Sequence, residues 1–280
     1  MDIKLGSVVR GVVLSSLLAI GGGVSSALAE TKSTYDAIQD RGTLRIGVVN
    51  TPPWYYKDTQ SGEWGGIGFK IGSAMAEALG VKLDTVEVKW GTSIPALQAN
   101  KIDLMFFLDP TPERAKAVDF PLTPVADIAL GVLVADGVDA SAWDNLNKAG
   151  ITVAVPQGTS MDRYVTKNLP NAEVLRLPSN AESVAAFQSG RANVASMFLP
   201  PLIMLQKKIN RGKIVVPAPA HAASTGVALR AEPNKRWRDY VGTAIFYWYH
   251  TGQINLWFKE TLGELGLDPD AIPAMKRSEW

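Results

Sequence analysis

Gly91-Thr-Ser-Ile-Pro-Ala-Leu-Gln-Ala-Asn-Lys-Ile-Asp103, followed by Thr111-Pro-Glu-Arg-Ala-Lys-Ala-Val-Asp-Phe120, is the stretch from which the fold is read. Ser93 opens a helix, and Pro95 is tolerated in its first turn because the missing N–H has no intrahelical partner there. Ile102 to Leu108 is an apolar run with Asp103 inside it, most simply a buried strand. Upstream, Gly42 to Val49 reads as a strand that runs into Asn50-Thr-Pro-Pro-Trp54, a loop that proline forces out of regular structure. Gly62 to Gly68 is glycine-rich and turn-like. Phe69, Ile71, Met75, Ala76 and Leu79 recur at helical spacing, Gly80 supplies the stop, and Val81 to Val88 alternates as a strand.

Downstream the pattern restarts. Ile128 to Ala135 and Ile151 to Val155 read as strands, the second ending in Pro156-Gln-Gly-Thr-Ser160. Ser183 to Gln188 reads as a helix, and Val194 to Leu199 and Val227 to Arg230 as strands. Trp237 to Thr251 and Gln253 to Leu262 are amphipathic helices with a dense aromatic face. Strands alternating with helices predict an α/β architecture on a mostly parallel sheet. No Pro-, Gly- or Ser-rich linker separates two independent domains, and two α/β lobes joined by paired strands fit that absence.

Composition narrows the function. The chain has 280 residues, 46% hydrophobic and 20% charged, with a formal net charge of +1. That is a folded globular protein with no case for a nucleic-acid partner. It has no cysteine and only two histidines, His221 and His250. Disulfide scaffolds, thiolate metal sites, thiol nucleophiles and a lipidated cysteine anchor are therefore excluded, and no metal or cofactor is expected. At the N-terminus, Lys4 and Arg10 precede the apolar Gly11–Ile20 and a small-residue Ala27-Leu-Ala29. This pattern predicts a signal peptide cleaved after Ala29, the competing reading being a membrane anchor. Its removal takes away Lys4, Arg10 and Asp2, turning 28 positive and 27 negative charges into 26 of each. The expected product is soluble, neutral and periplasmic.

The 91–120 stretch resembles the solute-binding proteins of polar amino-acid ABC importers, bacterial extracellular solute-binding family 3. Those chains carry an Ile-Pro-Ala-Leu segment followed by Gly and Asp, then Thr-x-x-Arg-x-x-x-x-Asp-Phe-Ser. Gly42 to Val49, Gly65-Gly-Ile-Gly-Phe69, Val155-Pro-Gln-Gly-Thr159, Gly190-Arg191 and Trp257 fall at matching places, so the resemblance spans roughly residues 38–262. It implies an α/β two-lobe periplasmic binding protein fold with hinge strands and an interlobe ligand cleft. Lobe I would comprise residues 30–128 and 227–280, and lobe II residues 129–226. The crossings would lie near Asp127–Gly131 and Ala223–Val227. The resemblance further implies an amino-acid ligand, an inner-membrane ABC permease as partner, and a monomer.

Arg114 is the first candidate for the ligand, because its planar fork of donors matches a carboxylate bidentately. By residue type alone it could equally be a surface arginine paired with Glu113 or Asp119. The resemblance assigns it the α-carboxylate. Trp54, Trp90 and Phe107 are candidates for aromatic contact with the ligand, against the alternative of plain core packing. Thr159 and Ser160 can cradle an anion or cap a helix, and both roles can hold at once.

Two departures from the family stand out. Asp109 replaces the usual hydroxyl residue before Arg114, and Phe198 replaces the acid that normally takes the ligand's ammonium. Lys70, Gly72 and Asn193 also replace common acids. Asp109 reads either as the ammonium's new partner or as a residue that pairs Arg114 or caps the Thr111 turn. His221 could face the cleft, although a solvated or satisfied histidine is commoner, and His250 reads as helix packing.

The leading functional expectation is a non-enzymatic receptor for an amino acid or related amine-bearing acid. The alternative is a cyclohexadienyl-dehydratase-like lyase, with Asp109 or His221 as general acid or base. No close nucleophile–base pair supports it. A sensor lobe of a larger receptor or wall-active enzyme is not expected, since no membrane segment or appended domain follows before Trp280.

Overall fold

A computed structural model describes residues 32–269, and the signal peptide expected over residues 1–29 lies outside them. Helix α1 (Thr34–Arg41) starts at Ser33, whose hydroxyl accepts the Asp36 N–H, and stops at Gly42 in the left-handed conformation. Strand β1 (Thr43–Val48) follows, then the short pair β2 (Tyr56–Lys57) and β3 (Trp64–Gly65). Helix α2 (Ile67–Leu79) buries Ile67, Ile71, Met75 and Leu79 along one stripe. Gly72 allows that helix to lie close on β1, since a Cβ there would stand 2.8 Å from Ile46 Cδ1.

Strand β4 (Lys82–Glu87), helix α3 (Ser93–Gln98) and strand β5 (Leu104–Leu108) come next, with β4 and β5 both parallel to β1. After α3, Asn100 takes the left-handed conformation (φ 55°), a position asparagine tolerates better than most side chains. Asp103 does not lie within the strand as the sequence suggested. It sits just before β5, buried, and binds the guanidinium groups of Arg41 and Arg45 at 2.6 Å each. Its carbonyl accepts the Trp237 indole N–H.

After β6 (Val118–Asp119), the nine-residue strand β7 (Ala126–Val134) leads into a second α/β set. This comprises α4 (Trp143–Leu146), β8 (Thr152–Pro156), α5 (Ser160–Asn168), β9 (Glu173–Leu177) and α6 (Asn180–Gln188). It continues through β10 (Val194–Phe198), α7 (Leu199–Ile209) and β11 (Lys213–Val215). Strand β8 is parallel to β9 and β10, whereas β10 and β11 run antiparallel to β7. The return strand, β12 (Ala222–Arg230), divides its pairing. Ala222 to Thr225 face Ala129 to Ala126 of β7, while Gly226 to Arg230 face β5 and β6. Helices α8 (Arg236–His250) and α9 (Gln253–Glu264) complete the described chain, with α9 packed on α2.

The sheet order β4-β1-β5-β12-β7-β10-β8-β9 therefore consists of two α/β halves that meet where β7 and β12 lie side by side. This is the two-lobe fold with hinge strands. β5 and β10 are buried along their whole length, as expected of central strands covered on both faces. The structure adds α1, the short β2–β3 pair, β6, α4, β9, β11 and, most unexpectedly, α7 to the elements read from sequence. Pro200 and Pro201 look like breakers, yet both sit in the helix's first turn, where proline costs no hydrogen bond. β12 begins at Ala222 rather than Val227. Its small, polar first half carries no apolar alternation to announce a strand.

Candidate ligand-binding site

A narrow cavity of about 30 Å³ lies at the carboxyl ends of β5, β8 and β10, where α/β sheets characteristically leave a crevice. All eight residues singled out in the sequence line it. Phe107 owes its place to a β-bulge. Leu108 pairs with Gly226 and Phe106 with Val227, leaving Phe107 as the extra residue of β5. It adopts φ 62°, a left-handed conformation that a bulky side chain enters only under constraint. Its ring stacks on Trp54 at 4.5 Å and 22°, and meets Tyr55 edge-on at 6.1 Å. The proline loop carrying Trp54 and the bulge carrying Phe107 thus fix one aromatic wall. Trp90 joins it from a short 3₁₀ turn, Trp90–Thr92.

The same bulge delivers Asp109 to the cavity, followed by the 3₁₀ turn Arg114–Lys116. Arg114 is buried, so the alternative of a surface arginine does not hold; Asp119 instead pairs with Lys235 at 2.5 Å. Of the five N–H donors of a guanidinium, main-chain carbonyls take two. Nη1 donates to the Asp109 carbonyl at 3.1 Å and Nη2 to the Gly158 carbonyl at 3.3 Å. The carboxylate of Asp109 stands 3.8 Å from Nη1, an ion pair too long to be a hydrogen bond. It is the Asp109 carbonyl, not its side chain, that accepts the Thr111 N–H of the following turn.

Burial raises the Asp109 carboxyl above its ordinary 3.8, opposed by Arg114 first, then by the Ser160 hydroxyl, Arg163 and the Thr225 hydroxyl. Those hydroxyls are near enough to favour the carboxylate, yet Asp109 Oδ1 and Thr225 Oγ1 complete no hydrogen bond. Burial likewise lowers Arg114 to about 10, with Asp109 pulling the other way.

From the other lobe, the loop after β8 supplies Thr159 and Ser160. Thr159 is the helix cap: its hydroxyl accepts the Asp162 N–H at 3.2 Å and donates to the Pro156 carbonyl at 2.7 Å. Ser160 begins α5 without a capping duty and remains on the cavity wall. Gly158 is required here. It has φ 75°, and a Cβ would lie 3.0 Å from the Gly91 Cα of the opposite lobe. Phe198 closes the cavity from the end of β10.

The structure also brings in Asn180, the first residue of α6, and Thr225 of β12. Sequence reasoning missed both. The Ser179 cap ahead of Asn180 was the available signal for the first, and nothing local marks the second. Lys70 lies away from the cavity, bound to Glu260 and Glu264. Asn193 ties the Thr152 N–H to the Gly150 carbonyl, a purely structural duty. His221 stacks on Tyr164 at 4.1 Å, and burial lowers its pKa against the pull of Asp109. His250 contacts Phe246 and Tyr249. Among the described residues no cluster of three or more His, Asp or Glu could hold a metal, and no helix is long and apolar enough to cross a membrane.

The chain and its fold resemble known proteins. The L-cystine-binding protein TcyJ of Escherichia coli is 24% identical over 221 residues, 79% of this chain and 82% of that protein. The structure of the L-cysteine solute receptor of Neisseria gonorrhoeae superposes with a TM-score of 0.76 at 26% identity. That match covers 85% of this chain and 98% of the receptor. The cyclohexadienyl dehydratase of Pseudomonas aeruginosa is 23% identical over 173 residues, 61% of this chain and a little under two thirds (64%) of the enzyme. The family model described as bacterial extracellular solute-binding proteins, family 3, matches residues 44–259. That match spans well over half of the sequence, and the chain belongs to that family.

Proposed function

We propose that this protein is a periplasmic receptor that captures an amino acid or related small amine-bearing carboxylate and hands it, unaltered, to an inner-membrane ABC permease. The observation that carries the reading is Arg114. Its guanidinium is buried on the cavity wall and held in orientation by carbonyls from two different segments, Asp109 and Gly158. A fixed, desolvated fork of donors suits a carboxylate. Ser160 adds a hydroxyl from across the cleft. Trp54, Trp90, Phe107 and Phe198 supply apolar contact, and Asp109 supplies a counter-charge for an amine. In this reading residues 30–128 and 227–280 form lobe I and residues 129–226 lobe II. The chain acts as a monomer after loss of residues 1–29.

A thermal-shift screen of the mature protein against the standard L-amino acids identifies the ligand, since a compound that binds only the folded state raises its stability with occupancy. Arg114→Ala is then expected to lose about 2–5 kcal/mol of calorimetric binding energy. Near-native affinity in that variant would reject the assignment. A new species appearing by NMR in an incubated mixture would move the reading to a dehydratase-like lyase.

A further inference from the structure

Three polar atoms on the cavity wall are buried and complete no hydrogen bond: Asp109 Oδ1, Asn180 Oδ1 and Thr225 Oγ1. They come from three separate elements, namely the loop after β5, the start of α6 and the middle of β12. Each residue is more than nine-tenths buried. A buried polar atom left unpaired costs on the order of 1–3 kcal/mol. Three such atoms around one cavity therefore call for a ligand group that satisfies them together. All three can accept. The Asn180 amide nitrogen is already engaged with the Met197 sulfur at 3.6 Å, so its oxygen is the atom left without a partner.

A carboxylate only accepts, so it can take donors from Arg114 and the Thr225 hydroxyl but leaves Asp109 Oδ1 and Asn180 Oδ1 unpaired. A protonated primary amine carries three N–H donors and a positive charge that matches Asp109. A quaternary ammonium could lie against Trp54, Trp90, Phe107 and Phe198, but without N–H donors it would leave all three atoms unpaired.

We propose that Asp109, Asn180 and Thr225 together form an ammonium seat, in which Asn180 and Thr225 select a ligand bearing a protonated primary amine over its N-methylated and deaminated counterparts. The seat draws on both lobes and on a hinge strand, and it occupies none of the positions where the sequence lost an acid. It rests on the receptor reading above.

The test takes the L-amino acid that binds best in the screen, with its N-methyl, N,N,N-trimethyl and deaminated analogues, and titrates each calorimetrically. The wild-type protein is expected to bind the trimethylated and deaminated compounds at least about tenfold more weakly than the amino acid. Thr225→Val and Asn180→Leu should each weaken the amino acid by about two- to tenfold and leave the deaminated acid unchanged. Asn180→Asp keeps an acceptor and should retain amine binding. Melting curves establish that the variants are folded. Wild-type affinity in both Thr225→Val and Asn180→Leu, or equal affinity for the trimethylated compound, overturns the seat. If the deaminated acid binds as tightly as the amino acid and Arg114→Ala abolishes both, the receptor reading stands and the seat falls. If no amino acid binds the wild-type protein, the receptor reading falls and takes the seat with it.

Discussion

Asp109 is pushed toward its acid form by burial and held as a carboxylate chiefly by Arg114, and this balance makes both stability and binding depend on pH, in opposite senses. Its raised pKa means that the folded chain binds the proton more tightly than the unfolded chain. The contribution of this group to stability therefore falls as pH rises from the unfolded value through the folded one. Binding of an amine runs the other way: the carboxylate is lost as pH falls through the folded value, and affinity falls with it. The charged or titrating groups that bear on it are Arg114, Arg163 and His221, the last pushed toward its neutral form by burial. Asp109→Asn is expected to remove this acid limb from a calorimetric pH series. It should also weaken an amine ligand at neutral pH by about tenfold or more, from a charge-assisted bond of about 1.5–3 kcal/mol. Arg114 was legible in the sequence because it sits in a spaced motif. Asn180 and Thr225 were not, because the cavity joins residues far apart in the chain through a helix start and a strand that signal only their own local roles.

At the scale of elements, the bulge in β5 is the costly feature. Phe107→Ala and Phe107→Gly both lose the ring stacked on Trp54, a change of about 3–5 kcal/mol for a buried phenylalanine. Glycine, however, is at ease at φ 62° and alanine is not. The glycine variant should be the more stable of the two by about 1 kcal/mol in urea denaturation, reversing their usual order in a strand. Asp103 anchors the other end of β5. Asp103→Ala leaves Arg41, Arg45 and the Arg45 N–H without their acceptor, and should cost about 1.5–3 kcal/mol with ligand affinity unchanged. Elements with apolar runs or helical stripes, such as β1, α2, β5, β8 and β10, could be read from the sequence. Those formed by tertiary contact could not: α7 hides behind two prolines, and the first half of β12 pairs through its backbone while its side chains stay small and polar.

For the whole molecule, the two halves are joined by β7 and β12, tied together by the 2.5 Å bond from Ser224 Oγ to Asp127 Oδ1. Closure is expected to be a hinge motion about these strands near Ala129 and Gly226. X-ray scattering should show a slightly smaller radius at saturating ligand, with unchanged circular dichroism. The halves meet across the cleft at Gly91, where a Cβ would lie 3.4 Å from the Gln157 carbonyl. Gly91→Leu should therefore wedge them apart, enlarging the scattering radius and lowering affinity while the melting temperature holds. The tryptophans of the cavity wall carry a different consequence. Trp54 lies face to face with Phe107, and Trp90 borders the same space; both are buried with the two halves in contact, so any water that reaches the indoles when the hinge opens is shed again as the cavity closes on a ligand. The protein should therefore display its own occupancy as a blue shift in ultraviolet emission. Trp54→Phe combined with Trp90→Phe should abolish that shift and leave the constant glow of the remaining tryptophans.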